Sequence, residues 1–444
     1  MWRRVASAVK SGVFASVGTT PRWTCRSYAA SASASASPST SGQPGSGTGG
    51  WSLSRLLLGV GGGFGVAVGA GYLLDPDDPL YTQTVFDLSR AAIPILHLFD
   101  AETSHNLVIT LAKYGLVPGD RREYSACLNT SVWGKEFKNP IGLAAGFDKN
   151  AEAMESMLGI GFGFVEVGSI TPEPQDGNER PRIFRLPKEK AVINRIGCNS
   201  HGSKAVSQRI QAFRAKESKG ILGINIAKNK TSLDAAEDYV EACKLLADKA
   251  DYVVINVSSP NTPGLRKLQA GKELGKIVGS MKKALKEHAP GVPLVVKIAP
   301  DLSKGDKKDI ANVVLRYRVD GMIVSNTTIS RPDAVLDEEN GNQVGGLSGK
   351  PLNEISTAMI KEMYELTGGK IPIIGCGGVS TGLDVYDKIK AGASLVQLYT
   401  GLVYEGPALI PQLKKELAEL LISDGFKTVD EAVGANTRVK RRWW

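Results

Sequence analysis

Ile371-Pro372-Ile373-Ile374-Gly375-Cys376-Gly377-Gly378 is an apolar run that stops at a pair of glycines. A short β-branched stretch with no polar alternation is what a parallel strand buried on both faces requires. Its strand is placed at 371–375. Working outward, comparable runs fall at 141–145, 164–168, 221–226, 252–257, 294–298, 321–325 and 395–399. Polar-faced helical patterns lie between them, for example at 234–249, 306–317, 352–366 and 381–391. Eight such strand–helix units predict an α/β fold, a closed (β/α)8 TIM barrel over 120–425. The interval 170–198 is too long for a plain connection. Its Pro172, Pro174, Pro181 and Pro187, with two short β-like runs, predict a hairpin inserted on the rim.

In such barrels the site lies at the C-terminal ends of the strands. Here those ends read Ala144-Ala145-Gly146, Gly168-Ser169, Asn225, Asn256-Val257-Ser258-Ser259, Lys297, Ser325-Asn326-Thr327, Gly377-Gly378 and Tyr399-Thr400. Polar residues can merely stop strands. Asn194, Asn225, Asn256 and Asn326, joined by Lys149 and Lys297, exceed that need. Asparagine both donates and accepts, so the rim suits a polar planar molecule. Gly377-Gly378 after the seventh strand and Tyr399-Thr400-Gly401 after the eighth occupy the usual barrel phosphate position.

The net charge of +9 suggests nucleic acid until its distribution is considered. Residues 1–74 carry Arg3, Arg4, Lys10, Arg22, Arg26 and Arg55 and no acid, and the last residues add Arg438, Lys440, Arg441 and Arg442. The body between is close to neutral, so no nucleic-acid partner is expected. Residues 1–30 have the Arg/Ser/Ala composition of a mitochondrial transit peptide, and 31–52 read as a flexible linker. The stretch 53–74 is uncharged from Leu56 onward and long enough to cross a bilayer. Arg55 before it and Asp75, Asp77 and Asp78 after it predict a single pass of the mitochondrial inner membrane, with the body in the intermembrane space. Residues 80–117 read as two short apolar helices, the first kinked by Pro94 and the second capped by Asp100 or Thr103. They could dip into lipid or pack on the barrel. Residues 426–444 are expected to form a tail. Cys25, Cys127, Cys198, Cys243 and Cys376 have no metal-ligand spacing, so no metal site is expected.

Taken together, several runs resemble the class 2 dihydroorotate dehydrogenases, the membrane-bound quinone-reducing group. They include AAGFDK (144–149), GSITPEPQDGNERPRIFRLP (168–187), AVINRIG (191–197), NSHG (199–202), NVSSPNTPGLR (256–266), VKIAPDL (296–302), SNTT (325–328), GGLSGKPL (345–352) and VQLYT (396–400). The resemblance covers roughly 80–425. It implies oxidation of dihydroorotate to orotate in pyrimidine biosynthesis, with hydride passing to FMN and electrons to ubiquinone, in a protein expected to be monomeric. It implies that Gly349, Gly377, Gly378, Tyr399 and Thr400 meet the flavin phosphate. Lys297 would lie beside the ring, and Ala145, Gly146, Ser169, Asn225 and Ser325 would line the ring and ribityl chain, with Asn194 and Asn256 also in reach. Lys149, Asn194, Asn256, Asn261, Asn326 and Thr327 would hold dihydroorotate, and Ser259 would be the catalytic base. The helices of 80–117 would form a quinone tunnel, with His105, Arg185 and Tyr399 as its polar contacts.

Three positions depart from the family pattern. Cys198 stands where Phe is usual, Ala227 replaces a usual Gly, and Val403 occupies a position that is often polar. Other readings are a 2-hydroxyacid oxidase-like FMN barrel, a Schiff-base aldolase acting through Lys297, and an inactive membrane scaffold. The first needs a rim histidine, for which only His201 among His97, His105, His201 and His288 is placed. The second lacks a carboxylate dyad, and the intact Lys149, Ser259 and Lys297 oppose the third.

Overall fold

The structure is a computed structural model and describes residues 79–216 and 220–438. The expected transit peptide, linker and membrane span lie outside the described residues, as do 439–444. Among the described residues no helix is long and apolar enough to cross a membrane.

Eight parallel strands close into a barrel: β1 (Ile141–Leu143), β2 (Phe164–Ile170), β3 (Ile221–Ile226), β4 (Tyr252–Asn256), β5 (Leu294–Ile298), β6 (Gly321–Val324), β7 (Ile373–Cys376) and β8 (Ala393–Leu398). Their spatial order follows the chain, and β8 pairs with β1 to complete the ring. All eight sequence-predicted strands are present. Some of the helices between them begin at side-chain caps: Asp234 caps Ala235–Leu246, while Ser303 and Thr381 form capping boxes with Asp306 and Asp384.

Strand alternation divides the core in two. Outward residues such as Val253, Ile255, Val296, Ile298, Val324 and Val396 pack under the helices. Inward residues Phe164, Tyr252, Val254, Val295, Ile323, Ile374 and Leu395 fill the N-terminal half of the barrel. Two positions further on, the same faces carry Glu166, Asn256, Lys297, Ser325, Cys376 and Gln397, so the interior changes from apolar to polar toward the C-terminal mouth.

A small antiparallel ribbon (Thr130–Val132 with Lys135–Phe137) plugs the apolar end through Val132 and Phe137. Its turn places both Trp133 and Gly134 at positive φ, the geometry of a tight hairpin connection. The predicted rim hairpin is present as Ile183–Leu186 and Ala191–Asn194. Gly346–Gly349 adds a third strand that the sequence reading missed.

The N-terminal pair is three helices: α1 (Pro79–Ala91), α2 (Ile93–Leu96) and α3 (Ala101–Lys113). The expected kink is a full break at Ala92, with Pro94 in the first turn of α2, where its missing N–H costs nothing. Asp100 caps α3. The expected tail is corrected for 426–438. Val429, Ala432 and Val433 are buried, and Gly434 N–H donates to Ile389 O at 3.0 Å, so this segment is part of the barrel's outer layer.

Phe137 is buried and sits edge-on to Phe164, with ring centroids 5.5 Å apart. Phe137→Ala is expected to cost about 3–5 kcal/mol, measured by denaturant unfolding. A loss under about 1 kcal/mol would show that the ribbon is not part of the core.

Candidate active site at the barrel mouth

The polar end of the barrel opens into a cavity of about 310 Å³ that continues between the barrel and α1–α3. Of the cofactor, substrate and quinone contacts that the resemblance implies, all but Asn225 line it: Ala145, Gly146, Lys149, Ser169, Asn194, Asn256, Ser259, Asn261, Lys297, Ser325, Asn326, Thr327, Gly349, Gly377, Gly378, Tyr399 and Thr400 at the barrel mouth, with His105 and Arg185 toward the helices. The far end is apolar, walled by residues such as Ile93, Leu96, Val108, Leu111 and Val403.

Asn225 lies one layer beneath. Its Nδ2 donates to Glu166 Oε1 at 2.9 Å, and its Oδ1 accepts from Ser169 Oγ. Glu166, which the sequence reading passed over, is fully buried and also accepts from Tyr252 Oη at 3.1 Å and Gln397 Nε2 at 2.7 Å. A lone carboxylate inside the apolar run of β2 was its only signal. From Ser169 a ladder climbs to the rim. Asn256 Nδ2 donates to Ser169 Oγ at 2.7 Å, Asn256 Oδ1 accepts from Ser258 Oγ at 3.0 Å, and Asn326 Nδ2 donates to Ser258 Oγ at 2.9 Å. Asn261 Nδ2 donates to Asn194 Oδ1 at 3.0 Å on the other side.

Two ammonium groups face this polar chamber. Lys149 donates to Asn199 Oδ1, and burial pushes it down to about 8. Lys297 is 5% exposed, and no hydrogen bond or ion pair is found for its ammonium among the described residues. Ser259 lies in the loop after β4, where its Oγ accepts from the Asn261 N–H at 3.3 Å. Cys198 Sγ sits 3.6 Å from Thr262 Oγ1 in the adjoining wall, and burial raises its thiol pKa.

At the end of β7, Gly377 and Gly378 both have positive φ, as does Gly349 across the cavity. A Cβ on Gly378 would lie 2.4 Å from the backbone N of Asn353, at the start of helix Asn353–Leu366. Backbone alone fits there, against a helix N-terminus of 14 residues, and the arrangement suits a phosphate. Thr327 Oγ1 is buried with no partner in the protein, a hydroxyl left for a ligand. These features fit a phosphorylated planar cofactor.

His105, Phe147 and Tyr399 mark the junction of the two halves. Phe147 is edge-on to both, with centroids at 5.3 and 5.4 Å, and Tyr399 Oη lies 3.3 Å from His105 Nδ1. Burial, reinforced by Lys149, pushes His105 down to about 4, so it is neutral at physiological pH. Arg185 donates from Nη1 and Nη2 to the carbonyls of Leu96 and Phe99 and holds the α2–α3 turn. His201, the one histidine placed near the rim from sequence, is exposed beside Arg209 and does not line the cavity. His97 does line it, at the apolar end, where its Nε2 is 2.9 Å from Val403 O.

Comparison with known proteins agrees with this geometry. The family model described as dihydroorotate dehydrogenase matches residues 127–421. The mitochondrial dihydroorotate dehydrogenase (quinone) of Arabidopsis thaliana is 52% identical over 396 residues, covering 83% of this chain and 86% of the relative. That of Mus musculus is 52% identical over 350 residues, covering 77% and 88%. The crystal structure of DHODH from Eimeria tenella in complex with ferulenol superposes with a TM-score of 0.75 at 42% identity, covering 78% of this chain and 99% of that one. A barrel whose mouth gathers these side chains, matched over most of its length at such identity, places the chain in the dihydroorotate dehydrogenase family.

Proposed function

We propose that this protein oxidises dihydroorotate to orotate and delivers the electrons to a quinone, using FMN. One observation carries the reading: a single cavity runs from a polar, asparagine-lined chamber at the barrel mouth to an apolar channel under α1–α3. When bound, FMN would supply the two-electron chemistry that links hydride loss from C6 of the substrate to reduction of the quinone.

The protein's own groups divide the remaining work. Gly349, Gly377, Gly378, Tyr399 and Thr400 hold the phosphate, and Ala145, Gly146, Ser169 and Ser325 bound the ring and ribityl chain. Asn225 acts from beneath by orienting Ser169. Lys297 offers positive charge where the ring gains negative charge. Lys149 pairs with the substrate carboxylate, and Asn194, Asn256, Asn261, Asn326 and Thr327 read the amide edges of its ring. Ser259 takes the C5 proton as its own hydroxyl proton leaves to water, and its loop, with Pro260, Pro263 and Gly264, covers the substrate. At the apolar end, neutral His105 and Tyr399 offer hydrogen bonds to a quinone carbonyl. Arg185 fixes the channel wall with two of its N–H groups and has others to offer a quinone carbonyl.

The N-terminal composition and the mitochondrial relatives support a mitochondrial location. Exposed Leu98, Tyr114 and Leu116 on and beside the helix pair suit contact with inner-membrane lipid, with 53–74 as the anchor and the barrel in the intermembrane space.

The test is anaerobic addition of dihydroorotate to the purified yellow protein, followed by a quinone. The flavin absorbance should bleach and then recover. No bleaching excludes the substrate, and bleaching without recovery excludes the acceptor. Ser259→Ala should keep its flavin and slow bleaching by about 10²–10⁴-fold; unchanged kinetics would remove Ser259 from its role. Lys149 is protonated below about pH 8 and neutral above it. KM for dihydroorotate should therefore rise as pH passes through that value, and Lys149→Met should have a high, pH-independent KM. A flat wild-type profile would separate Lys149 from the carboxylate. Val108→Phe should slow recovery by quinone by roughly tenfold, about 1.4 kcal/mol, with bleaching unaltered. Equal slowing of both steps would place the channel elsewhere.

A further inference from the structure

Lys388 is fully buried in helix Gly382–Lys390, directly below the Gly377–Gly378 corner. Its ammonium donates to Thr357 Oγ1 at 2.7 Å, Ser356 Oγ at 2.8 Å and Asn353 O at 3.3 Å, all neutral acceptors. Among the described residues no carboxylate forms an ion pair with it. Asp384 and Asp387 on its own helix favour its charged form only through space: neither bonds to the ammonium, and Asp384 accepts instead from Asn353 Nδ2 and the backbone N–H groups of Ser380 and Thr381. The ammonium also sits against the first turn of helix Asn353–Leu366, whose end is itself positive. Burying a cation beside a second source of positive potential is unfavourable, and an anion at the glycine corner would offset it at closer range than carboxylates that do not touch it.

The geometry shows where that anion belongs. Because an ammonium only donates, it leaves the hydrogen of Ser356 Oγ for a carbonyl, and both Gly377 O and Asn353 O lie 3.0 Å away. Drawing Gly377 O down toward Ser356 turns the following N–H, that of Gly378, away from Lys388 and toward the cavity. The buried charge thus acts on the glycine corner twice, through the field and through the orientation of a peptide.

We infer that Lys388 is a positioning residue for the flavin phosphate: from beneath the cradle it supplies the positive potential, and through Ser356 the peptide orientation, that make the site select FMN over riboflavin. This rests on the reading of Gly349, Gly377 and Gly378 as the phosphate cradle.

The test titrates FMN and riboflavin, by quenching of flavin fluorescence, into the full-length protein stripped of flavin, as wild type, Lys388→Met and Lys388→Arg. Lys388→Met should bind FMN about 10- to 100-fold more weakly, the scale of one charge interaction at low effective dielectric. Riboflavin affinity should stay within about twofold of wild type, and Lys388→Arg should recover most of the loss. Equal losses for the two flavins would make Lys388 a packing residue and overturn the inference, as would no loss. A wild type that binds FMN no better than riboflavin would instead overturn the cradle reading beneath it. If Lys388→Met does not fold, Lys388→Gln replaces it, keeping a donor to Ser356 without the charge, and the same FMN-specific loss is required.

Discussion

The site is built upward from one buried carboxylate. Glu166 has no exposure, and three donors from three other strands converge on it: Asn225 from β3, Tyr252 from β4 and Gln397 from β8. An unsatisfied carboxylate there would be prohibitively costly, so these contacts are obligatory rather than incidental. Their consequence is directional. Asn225 must give its amide N–H to Glu166, which leaves its carbonyl facing up to receive Ser169. Ser169 then accepts from Asn256, whose carbonyl in turn receives Ser258. Each group's orientation follows from the one below, and the rim presents donors and acceptors in a fixed pattern before any ligand arrives.

The parts of this that were legible in the sequence are those that repeat. The eight barrel strands were readable because a buried parallel strand has no alternative to a β-branched apolar run, and the rim because polar residues appeared where each run stopped. Short or weakly patterned elements were not. The ribbon at 130–137 has three-residue strands and a turn that places Trp133 at positive φ, which few would assign to a tryptophan. Gly346–Gly349 pairs as a strand despite two glycines, because it borrows its register from Ala191–Asn194. The tail was misjudged because Val429, Ala432 and Val433 are too few to announce a buried segment.

Charge is hard to read from sequence alone. Lys388 shares its helix with Lys390, which pairs with Asp424 at 3.5 Å, while Arg185 lies in a run that matched quinone-contacting residues. Sequence spacing does not show that one ammonium faces inward or that one guanidinium is already committed to Leu96 and Phe99. Asn225 lies near the end of a strand, as rim residues do, yet its amide is shared between Glu166 below and Ser169 above. Partners decide what a polar residue does, and partners are set by the fold.

The attachment of the helix pair has a consequence of its own. Glu102 at the start of α3 receives Arg182 at 2.7 Å and Arg180 at 2.9 Å, while Arg185, on the same hairpin, grips the preceding turn. Burial opposes ionisation of Glu102, but the two arginines hold its carboxyl below the usual carboxylate range. With three arginines riveting it down, this wall of the cavity moves with the barrel that carries it.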